Sequence, residues 1–221
     1  MSSKNQEIYS SIRFAYISVK RTYQKKMMKP YVITINAVSG GGKTALAKLI
    51  RESLPASALF CFDDFNETNI IPEDFYEWSQ RGAPPLEIDC PGMGEAVEQA
   101  LQQETLKYVV LDCPLGREHP RFSKLIDLAI FIDTPLDVAM ARRILRDHTS
   151  APDVFPEARL KQLRAEMTHY LEKARYPYLE AYKQKNTSDL VLDGWSPLEN
   201  LRDQVLAKIM SDKQHLTENH S

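Results

Sequence analysis

A short glycine-rich segment of the chain combines residue types that bind phosphate groups. After Ala37 and Val38 it contains Ser39, Gly40, Gly41, Gly42, Lys43 and Thr44. Consecutive glycines let backbone amides turn toward phosphate oxygens without side-chain clashes. Lys43 would supply a cation at the β- and γ-phosphates, and Thr44 a hydroxyl for Mg²⁺. The segment matches the phosphate-loop pattern with Ala37 in place of its first glycine, a departure that a negative φ would make harmless.

The elements around this loop alternate short apolar runs with helical stretches. The runs are Tyr31–Val38, Ala58–Phe62, Tyr108–Leu111, Leu128–Ile132 and Leu190–Leu192. Uninterrupted apolar strands separated by helices favour a parallel sheet that is covered on both faces. Several of the runs are followed directly by an aspartate, and ligands of such sheets lie beyond the carboxyl ends of the strands. We therefore expect an α/β fold of the P-loop NTPase type, three layers (α/β/α) around a five-stranded parallel sheet.

The rest of the chain divides into a main domain and two flanking segments. Residues 1–29 have apolar residues at helical spacing and contain seven basic residues but one acidic residue. We predict an amphipathic helix that packs on the domain; a targeting or membrane-surface segment is the alternative. Residues 30–211 are predicted to form a single P-loop domain, and residues 212–221, which carry no pattern, are expected to fray.

Two charged helical stretches precede the last strand. Pro135–His148 and Pro156–Lys185 have helical patterns, and the Pro-containing segment Thr149–Phe155 connects them. A long charged helical pair inserted between two strands is typical of a mobile lid, here at about 142–156, although a static helical hairpin has the same pattern.

Composition and charge limit the partners. The chain of 221 residues has 28 Lys and Arg against 30 Asp and Glu, a net charge of −2, so a nucleic-acid partner is not predicted. No apolar stretch approaches the roughly 18 residues of a membrane span. Three cysteines without a CxxC pair predict neither a disulfide framework nor a zinc knuckle. A reducing, cytoplasmic compartment is expected, and a homo-oligomer is possible.

The class of nucleotide protein follows from motifs that are missing. A GTPase needs an Asn/Thr-Lys-x-Asp string, and the nearest string, Ser123–Asp127, has the wrong spacing. The Ser-Gly-Gly-Gln signature of transport ATPases is also missing. A small-molecule kinase is therefore the natural class for a chain of this size.

Four strings resemble the group of uridine kinases, nicotinamide riboside kinases and phosphoribulokinases. They are Phe62–Phe65, Ile88–Pro91, Phe131–Thr134 and Ala141–Asp147. With the phosphate loop, the resemblance covers the chain from Tyr31 to about Asp147. It implies ATP as phosphate donor, Mg²⁺ as metal and a small-molecule hydroxyl as acceptor.

The resemblance also implies roles for several aspartates. Asp63 would orient the acceptor hydroxyl and accept its proton, or else cap the next segment or hold a Mg²⁺-bound water; Asp64 is the second candidate. Asp112 would hold water around Mg²⁺ with Thr44, whereas Asp133 is expected to be structural.

Further roles concern the acceptor and the lid. Asp89 would bind the vicinal hydroxyls of a ribose, or it caps the following helix. Arg143 and Arg146, on one helix face, would bind the transferring phosphoryl group, and Arg142 would cover the adenine face. Simple solvation of these arginines is the alternative.

Departures from the family affect the substrate. The β-hairpin that uridine kinases insert before the third strand is missing, because only six residues lie between Leu101 and Tyr108. The paired arginines after the lid helix have no counterpart in His148–Asp153. The pyrimidine contacts are therefore not carried over.

Two other segments are candidates for the acceptor side. The loop after the third strand contains Arg117, His119 and Arg121, which could bind substrate or be solvated. We predict Arg117 as a substrate-binding residue. The segment Ile71–Pro85 could supply an aromatic wall or belong to the core, through Phe75, Tyr76 and Trp78.

Together these features predict an ATP- and Mg²⁺-dependent kinase of a primary alcohol, with a nucleoside 5′-hydroxyl as the expected acceptor. A kinase of another alcohol (a vitamin precursor, a sugar or an antibiotic) is the first alternative. A nucleotide-binding regulator without turnover is the second.

Overall fold

The strands form one parallel sheet with the strand of the phosphate loop at its centre. The computed structural model of the chain describes residues 29–149 and 156–218. Its strands are β1 (Tyr31–Asn36), β2 (Ser57–Cys61), β3 (Tyr108–Asp112), β4 (Leu128–Asp133) and β5 (Leu190–Asp193). Their order is β2-β3-β1-β4-β5, and every neighbouring pair is parallel. The predicted five-stranded sheet is confirmed.

Helices follow the strands and cover both faces of the sheet. They are α1 (Lys43–Ser53), α2 (Phe75–Gln80), α3 (Pro91–Leu101), α4 (Leu136–Thr149), α5 (Pro156–His169), α6 (Arg175–Lys183) and α7 (Leu198–Glu218). A π-helical turn separates α5 from α6, so the predicted single stretch Pro156–Lys185 is interrupted.

The alternation of side chains along β1 produces two cores. Ile33 belongs to a buried cluster with Leu46 of α1 and Val205 of α7. Val32, its neighbour, belongs to the cluster on the opposite face with Val97 of α3. Successive residues of a strand point to opposite faces, so an unbroken apolar strand needs helices on both sides. The three-layer α/β/α arrangement follows.

The helices on the two sides of residues 150–155, α4 and α5, are connected by polar contacts. Nε2 of His148 in α4 lies 3.1 Å from Oε2 of Glu166 in α5, and Arg159 donates to the His148 carbonyl over 3.0 Å. Residues 150–155 of the predicted lid lie outside the described residues. Mobility of the lid stays a prediction.

The ends of the domain differ in part from expectation. Residues 1–28, and with them nearly all of the predicted leading helix, lie outside the described residues. The last helix α7 continues to Glu218, so the expectation of a patternless tail from residue 212 is wrong for residues 212–218. Its last turns contact the sheet, since Asp212 accepts a hydrogen bond from Tyr31 (2.9 Å) and Lys213 donates to Tyr108 (2.7 Å). In the described part of the chain, none of the helices has the length and apolar character of a membrane span.

Candidate active site

The phosphate loop joins the central strand β1 to helix α1. Gly40 and Gly42 have φ angles of +80° and +97°, in the left-handed region that favours glycine. Helix α1 begins at Lys43, directly after the loop, so its unpaired N-terminal amides face the loop. Ser39 and Lys43 are half-buried on the two sides of the glycines. The backbone geometry is that of an anion-binding turn.

The two positive-φ glycines have different surroundings. A Cβ atom at Gly40 would overlap the backbone carbonyl oxygen of Ala139, because α4 packs directly on the loop. A Cβ atom at Gly42 would meet no heavy atom of the described residues within 4 Å. The space on the Cβ side of Gly42 is therefore open, whereas the same space at Gly40 is filled by α4. Ala37 has a negative φ, so its replacement of glycine introduces no strain, as expected.

Thr44 and Asp112 meet at the carboxyl end of the sheet. The Thr44 hydroxyl donates a hydrogen bond of 2.5 Å to Oδ2 of Asp112, which ends β3. Asp112 is 4% exposed, and its other carboxylate oxygen, Oδ1, has no hydrogen-bond partner among the described residues. Such an oxygen is costly to bury unless a ligand satisfies it. A carboxylate beside a hydroxyl is the oxygen donor set that Mg²⁺ prefers, so the residues fit this ion.

Burial raises the pKa of Asp112 above the ordinary value of an aspartate. Lys43 and the hydrogen bond from Thr44 oppose this shift, whereas the negative charges of Asp63 and Asp64 add to it. A cation bound at Oδ1 would stabilise the ionised form. The electrostatics of the site therefore also favour a metal ion.

Asp63 and Asp64 line the same cleft as Asp112. Both are exposed in the 3₁₀ turn Phe62–Phe65, which follows β2 directly. They line a cleft of about 620 Å³ together with Thr44, Asp112 and residues of α1 and β2. The parallel sheet causes this convergence, because β2 and β3 are neighbours and end at the same edge.

The lid helix α4 brings Arg146 near Asp63. The pKa of Arg146 is raised, first by its hydrogen bonds to Asp147 and further by nearby negative charges that include Asp63. Arg146 donates to both oxygens of Asp147, at 2.6 and 3.1 Å, and its side chain is 61% exposed. Asp63 is thus within electrostatic reach of both Asp112 and the lid.

Arg143 is held more firmly than Arg146. Its guanidinium donates to the hydroxyl of Tyr178 in α6 over 2.6 Å and lies 3.5 Å from Asp147, and 32% of its side chain is exposed. Sequence reasoning did not find Tyr178, because a tyrosine on a neighbouring helix carries no motif.

Arg142 points to the loop after β5. It donates to the carbonyl oxygen of Gly194 over 3.1 Å, and the next residue, Trp195, is 69% exposed. A planar guanidinium and an exposed indole therefore lie on adjacent segments. This arrangement is compatible with the predicted contact of Arg142 with a flat base.

Asp89 is engaged by Arg121. The guanidinium of Arg121 binds both carboxylate oxygens, at 2.8 and 2.5 Å, and Oδ1 also accepts the N–H of Cys90 at 2.8 Å. The hydrogen bond from Arg121 is the main cause that lowers the pKa of Asp89. The alternative of a helix cap is wrong, since Cys90 is the N-cap residue of α3 and the cap has no side-chain hydrogen bond. The acceptor hydroxyls would meet an ion pair rather than a lone carboxylate.

Arg117 lies away from this cleft, so its prediction as a substrate-binding residue is corrected. Its guanidinium binds Asp189 and donates to the carbonyl oxygen of Ile126 over 3.0 Å. Ile126 and Asp189 precede β4 and β5, so the side chain reaches the amino ends of these strands. His119, from the same loop, is fully buried. Of the three candidates in the loop, Arg121 contacts Asp89, the residue predicted to bind the acceptor.

The aromatic segment before α3 divides between core and surface. Trp78 is 4% exposed and donates to the Pro84 carbonyl over 3.1 Å, so it belongs to the core. Tyr76 packs edge-on against Tyr176 of α6 at 5.3 Å between ring centroids. Phe75 remains 39% exposed and is the part of the segment that could face a ligand.

A contact that sequence reasoning missed links the phosphate loop to α6. The buried hydroxyl of Thr134 donates to the Gly41 carbonyl over 2.8 Å, and the Thr134 carbonyl accepts a hydrogen bond from Tyr182 of α6. Gly194 packs so closely on Thr134 that a side chain would not fit there. The position of Thr134 after β4 was the available signal. Asp133 beside it lies 3.6 Å from Lys185, outside this linkage.

Comparison with known proteins finds uridine kinases. No protein-family model matches the chain. A uridine kinase of Oceanobacillus iheyensis is 23% identical over 221 residues, which cover 84% of this chain and 94% of that protein. One of Borrelia garinii is 26% identical over 184 residues, 73% of this chain and 85% of that protein. Over most of its length the chain is therefore similar to uridine kinases. This similarity supports a phosphotransferase that acts on an alcohol group, with a small molecule as acceptor.

Solved structures of other kinases can be superposed on this uridine kinase-like chain. A gluconokinase from Sinorhizobium meliloti superposes with a TM-score of 0.47 at 16% identity, over 86% of this chain and 97% of that one. A shikimate kinase from Aquifex aeolicus superposes with a TM-score of 0.42 at 18% identity, over 82% and 98%.

Proposed function

We propose that the chain transfers the γ-phosphate of ATP to the 5′-hydroxyl of a nucleoside, with Mg²⁺ as the metal. One observation carries this proposal. The unpartnered oxygen of Asp112 lies beside the Thr44 hydroxyl, in the cleft that Asp63 also lines. A metal-binding pair at the phosphate loop and a carboxylate across a cleft are the two halves of a phosphoryl-transfer site.

The phosphate loop would hold the triphosphate. The loop glycines leave their amides free of side-chain obstruction, and α1 presents its positive dipole end. A Cβ atom at Gly42 would meet nothing within 4 Å among the described residues, so phosphate oxygens would have room there. Lys43, the first residue of α1, would neutralise charge at the β- and γ-phosphates. Ser39 would complete the loop on its amino-terminal side.

Thr44 and Asp112 would hold Mg²⁺ on the side of the cleft. When bound, the ion neutralises charge on the β- and γ-phosphate oxygens. Thr44 would offer its hydroxyl oxygen, and Asp112 would bind directly or through a water. The existing hydrogen bond between them already orients both groups.

Asp63 would activate the acceptor. A carboxylate within hydrogen-bond distance of an alcohol orients that hydroxyl and takes its proton as the phosphoryl group moves in line. Asp63 is exposed to the cleft, so an alcohol can reach it without rearrangement of the sheet. Asp64, on the same turn, is the second candidate for this role.

The lid arginines would stabilise the transferring group. Arg143 is oriented by Tyr178, and Arg146 lies within electrostatic reach of Asp63. A guanidinium group can form two parallel hydrogen bonds to phosphoryl oxygens, and it stays charged at neutral pH. The helix α4 would thereby exclude water from the γ-phosphate, and Arg142 would cover the base.

A different acceptor class is the second candidate. Asp89 is bound by Arg121, and the hairpin of uridine kinases is missing between α3 and β3. An ion pair at this position offers a cation as well as an anion to the acceptor. This observation favours a non-nucleoside alcohol such as a sugar, a vitamin precursor or an antibiotic.

A screen of ADP release tests the proposal. Wild-type protein with Mg²⁺ and ATP is incubated with single nucleosides and with the other alcohols, and the Lys43→Ala variant is the control for contaminating kinases. Lysine-dependent ADP release with a nucleoside, and a phosphomonoester product, support the nucleoside. Release with other alcohols alone selects the second candidate. No release with any acceptor, although ATP binds, contradicts both.

A further inference from the structure

A cluster of three metal-binding side chains lies beneath the acceptor side, outside the phosphate-transfer machinery. It consists of Cys90 at the start of α3, and Cys113 and His119 after β3. The two sulfur atoms and a ring nitrogen lie within 4.8 Å of one another. Cys90, Cys113 and His119 are 0%, 1% and 0% exposed. Residues that are distant in the sequence thus bring one imidazole and two thiols together in the core.

We propose that Cys90, Cys113 and His119 form a binding site for Zn²⁺. Thiolate and imidazole are the ligands that zinc prefers in proteins, and Mg²⁺ avoids both. The site is therefore chemically distinct from the oxygen ligands of Thr44 and Asp112.

The geometry is close to that of a zinc site. In a tetrahedral site the ligand atoms are about 3.5–3.8 Å apart, given Zn–S and Zn–N bonds of about 2.3 and 2.0 Å. Sγ of Cys90 lies 3.4 Å from Nε2 of His119, so this pair needs almost no movement. The remaining separations, at most 4.8 Å, close by changes in side-chain rotamer of the cysteines.

Burial selects the charge of the ion. Two thiolates and one neutral imidazole carry a charge of −2, so a divalent cation makes the cluster neutral. A neutral cluster is the arrangement that a dry core tolerates best, because an uncompensated buried charge is costly. The fourth tetrahedral position would hold a small exogenous ligand, since the cluster contains three protein ligands among the described residues.

Proton movements on binding can be assigned to atoms. Each cysteine releases its thiol proton to solvent, and His119 shifts its proton from Nε2 to Nδ1 and stays neutral. Nδ1 now accepts the backbone N–H of Arg121 over 3.3 Å, a long hydrogen bond that metal binding would break. Two thiolate–zinc bonds and one imidazole–zinc bond would replace this weak contact and the present contact between Nε2 of His119 and Sγ of Cys90.

The position of the site explains what a bound ion would do. Cys90 follows Asp89, and Cys113 follows Asp112. A metal ion bonded to both cysteines would tie the start of α3 to the end of β3. It would fix the separation of two aspartates that line the acceptor and metal sides of the proposed active site.

Cobalt spectroscopy on the full chain tests the proposal. Reduced, metal-free wild-type protein is titrated with Co²⁺ in excess Mg²⁺, which occupies oxygen-ligand sites. We expect near-ultraviolet thiolate-to-cobalt absorption that saturates at one equivalent and disappears when Zn²⁺ is added. Cys61→Ser is the matched control, since Cys61 lies outside the cluster and should leave the absorption unchanged. Cys90→Ser and Cys113→Ser should abolish it.

Stability provides a second readout. Zn²⁺ at about 100 times its Kd should raise the melting temperature of wild type and Cys61→Ser by about 5–10 °C, without effect on the Cys90 and Cys113 variants. If these variants fail to fold, X-ray absorption of zinc-loaded wild type decides, with two sulfur ligands and one nitrogen ligand expected. The proposal is overturned if wild type shows no thiolate absorption, or if the absorption depends on Cys61 instead.

Discussion

The Thr44 hydroxyl donates a hydrogen bond to Asp112, 68 positions later in the chain, and leaves Oδ1 of that buried carboxylate without a partner among the described residues. An ionised carboxylate in this position reduces the stability of the metal-free fold. The carboxylate lies at the end of β3 beside the phosphate loop, where a cation would satisfy it. Stability and activity should therefore respond in opposite directions when its charge is removed.

Asp112→Asn should raise the melting temperature near neutral pH and lower turnover with Mg²⁺ and ATP by about 10- to 100-fold. Burial raises the folded-state pKa of Asp112, so ionisation costs more in the folded chain than in the unfolded chain. The stability that the Asp112 carboxyl contributes is thus greatest below the ordinary pKa of an aspartate, and it is lost as the pH rises through the raised pKa of the folded chain. Thermal melts across this pH window, with and without Mg²⁺, measure the effect. Asp133→Asn is the control and should change neither the melting temperature nor the turnover strongly. An Asp112→Asn variant with a lower melting temperature and full activity would contradict the prediction.

Gly40→Ala and Gly42→Ala should separate folding from nucleotide binding. Both residues have positive φ, which costs an alanine about 1–2 kcal/mol. At Gly40 the methyl group also overlaps the Ala139 carbonyl, whereas at Gly42 it enters open space. We expect a much larger fall in melting temperature for Gly40→Ala. Gly42→Ala should stay folded and lose ATP affinity, as measured by calorimetric titration. Equal loss of stability in both variants would show that α4 does not pack on the loop as described.

The strands and the phosphate loop could be predicted because their signals are local. Apolar runs such as Tyr108–Leu111 are strands whatever they contact, and the loop glycines carry their own backbone requirement. Tertiary contacts could not be predicted in this way. Arg117 and Arg121 are four residues apart in one loop, yet one reaches Asp189 and the other Asp89. The direction of a long side chain depends on which carboxylate the fold brings near, and no sequence pattern records that.

The cysteines illustrate the same limit. Their spacing indicated no metal site, because Cys90 and Cys113 are separated by all of α3 and β3. The parallel sheet places the end of β3 next to the start of α3 and so assembles a cluster that has no linear motif. Similarly, Tyr178 supports Arg143 only because α6 returns beside α4.

We expect Asp89 and Arg121 to be strongly coupled in their contributions to the free energy of unfolding. We also expect their substitution to weaken binding of the acceptor more than binding of ATP. Single and double variants (Asp89→Asn, Arg121→Gln) give a coupling energy that we expect at about 0.5–3 kcal/mol from urea unfolding. Because Arg121 lowers the pKa of Asp89, this stabilisation is present above the ordinary aspartate pKa and is lost as the pH falls through the lowered value. The exposed pair Arg81–Glu87 (2.7 Å) is the matched control, with little coupling expected.

The KM values of the same variants show whether Asp89 and Arg121 lie on the acceptor side of the site. An acceptor-side position predicts a higher KM for the acceptor, with the KM for ATP nearly unchanged. An unchanged KM for the acceptor in all of these variants would remove Asp89 from acceptor binding.

The most direct test of the account is the rate of γ-phosphate transfer in a single turnover, compared between Asp63→Asn and Asp64→Asn with an acceptor that supports ADP release. Asp63 is expected to be the base, so Asp63→Asn should slow transfer by about 10²- to 10⁴-fold while ATP binds as in wild type. Asp64→Asn, on the same exposed turn, should have a much smaller effect. A wild-type rate in Asp63→Asn, or the large loss in Asp64→Asn alone, would contradict the assignment of Asp63 across the cleft from the phosphate loop.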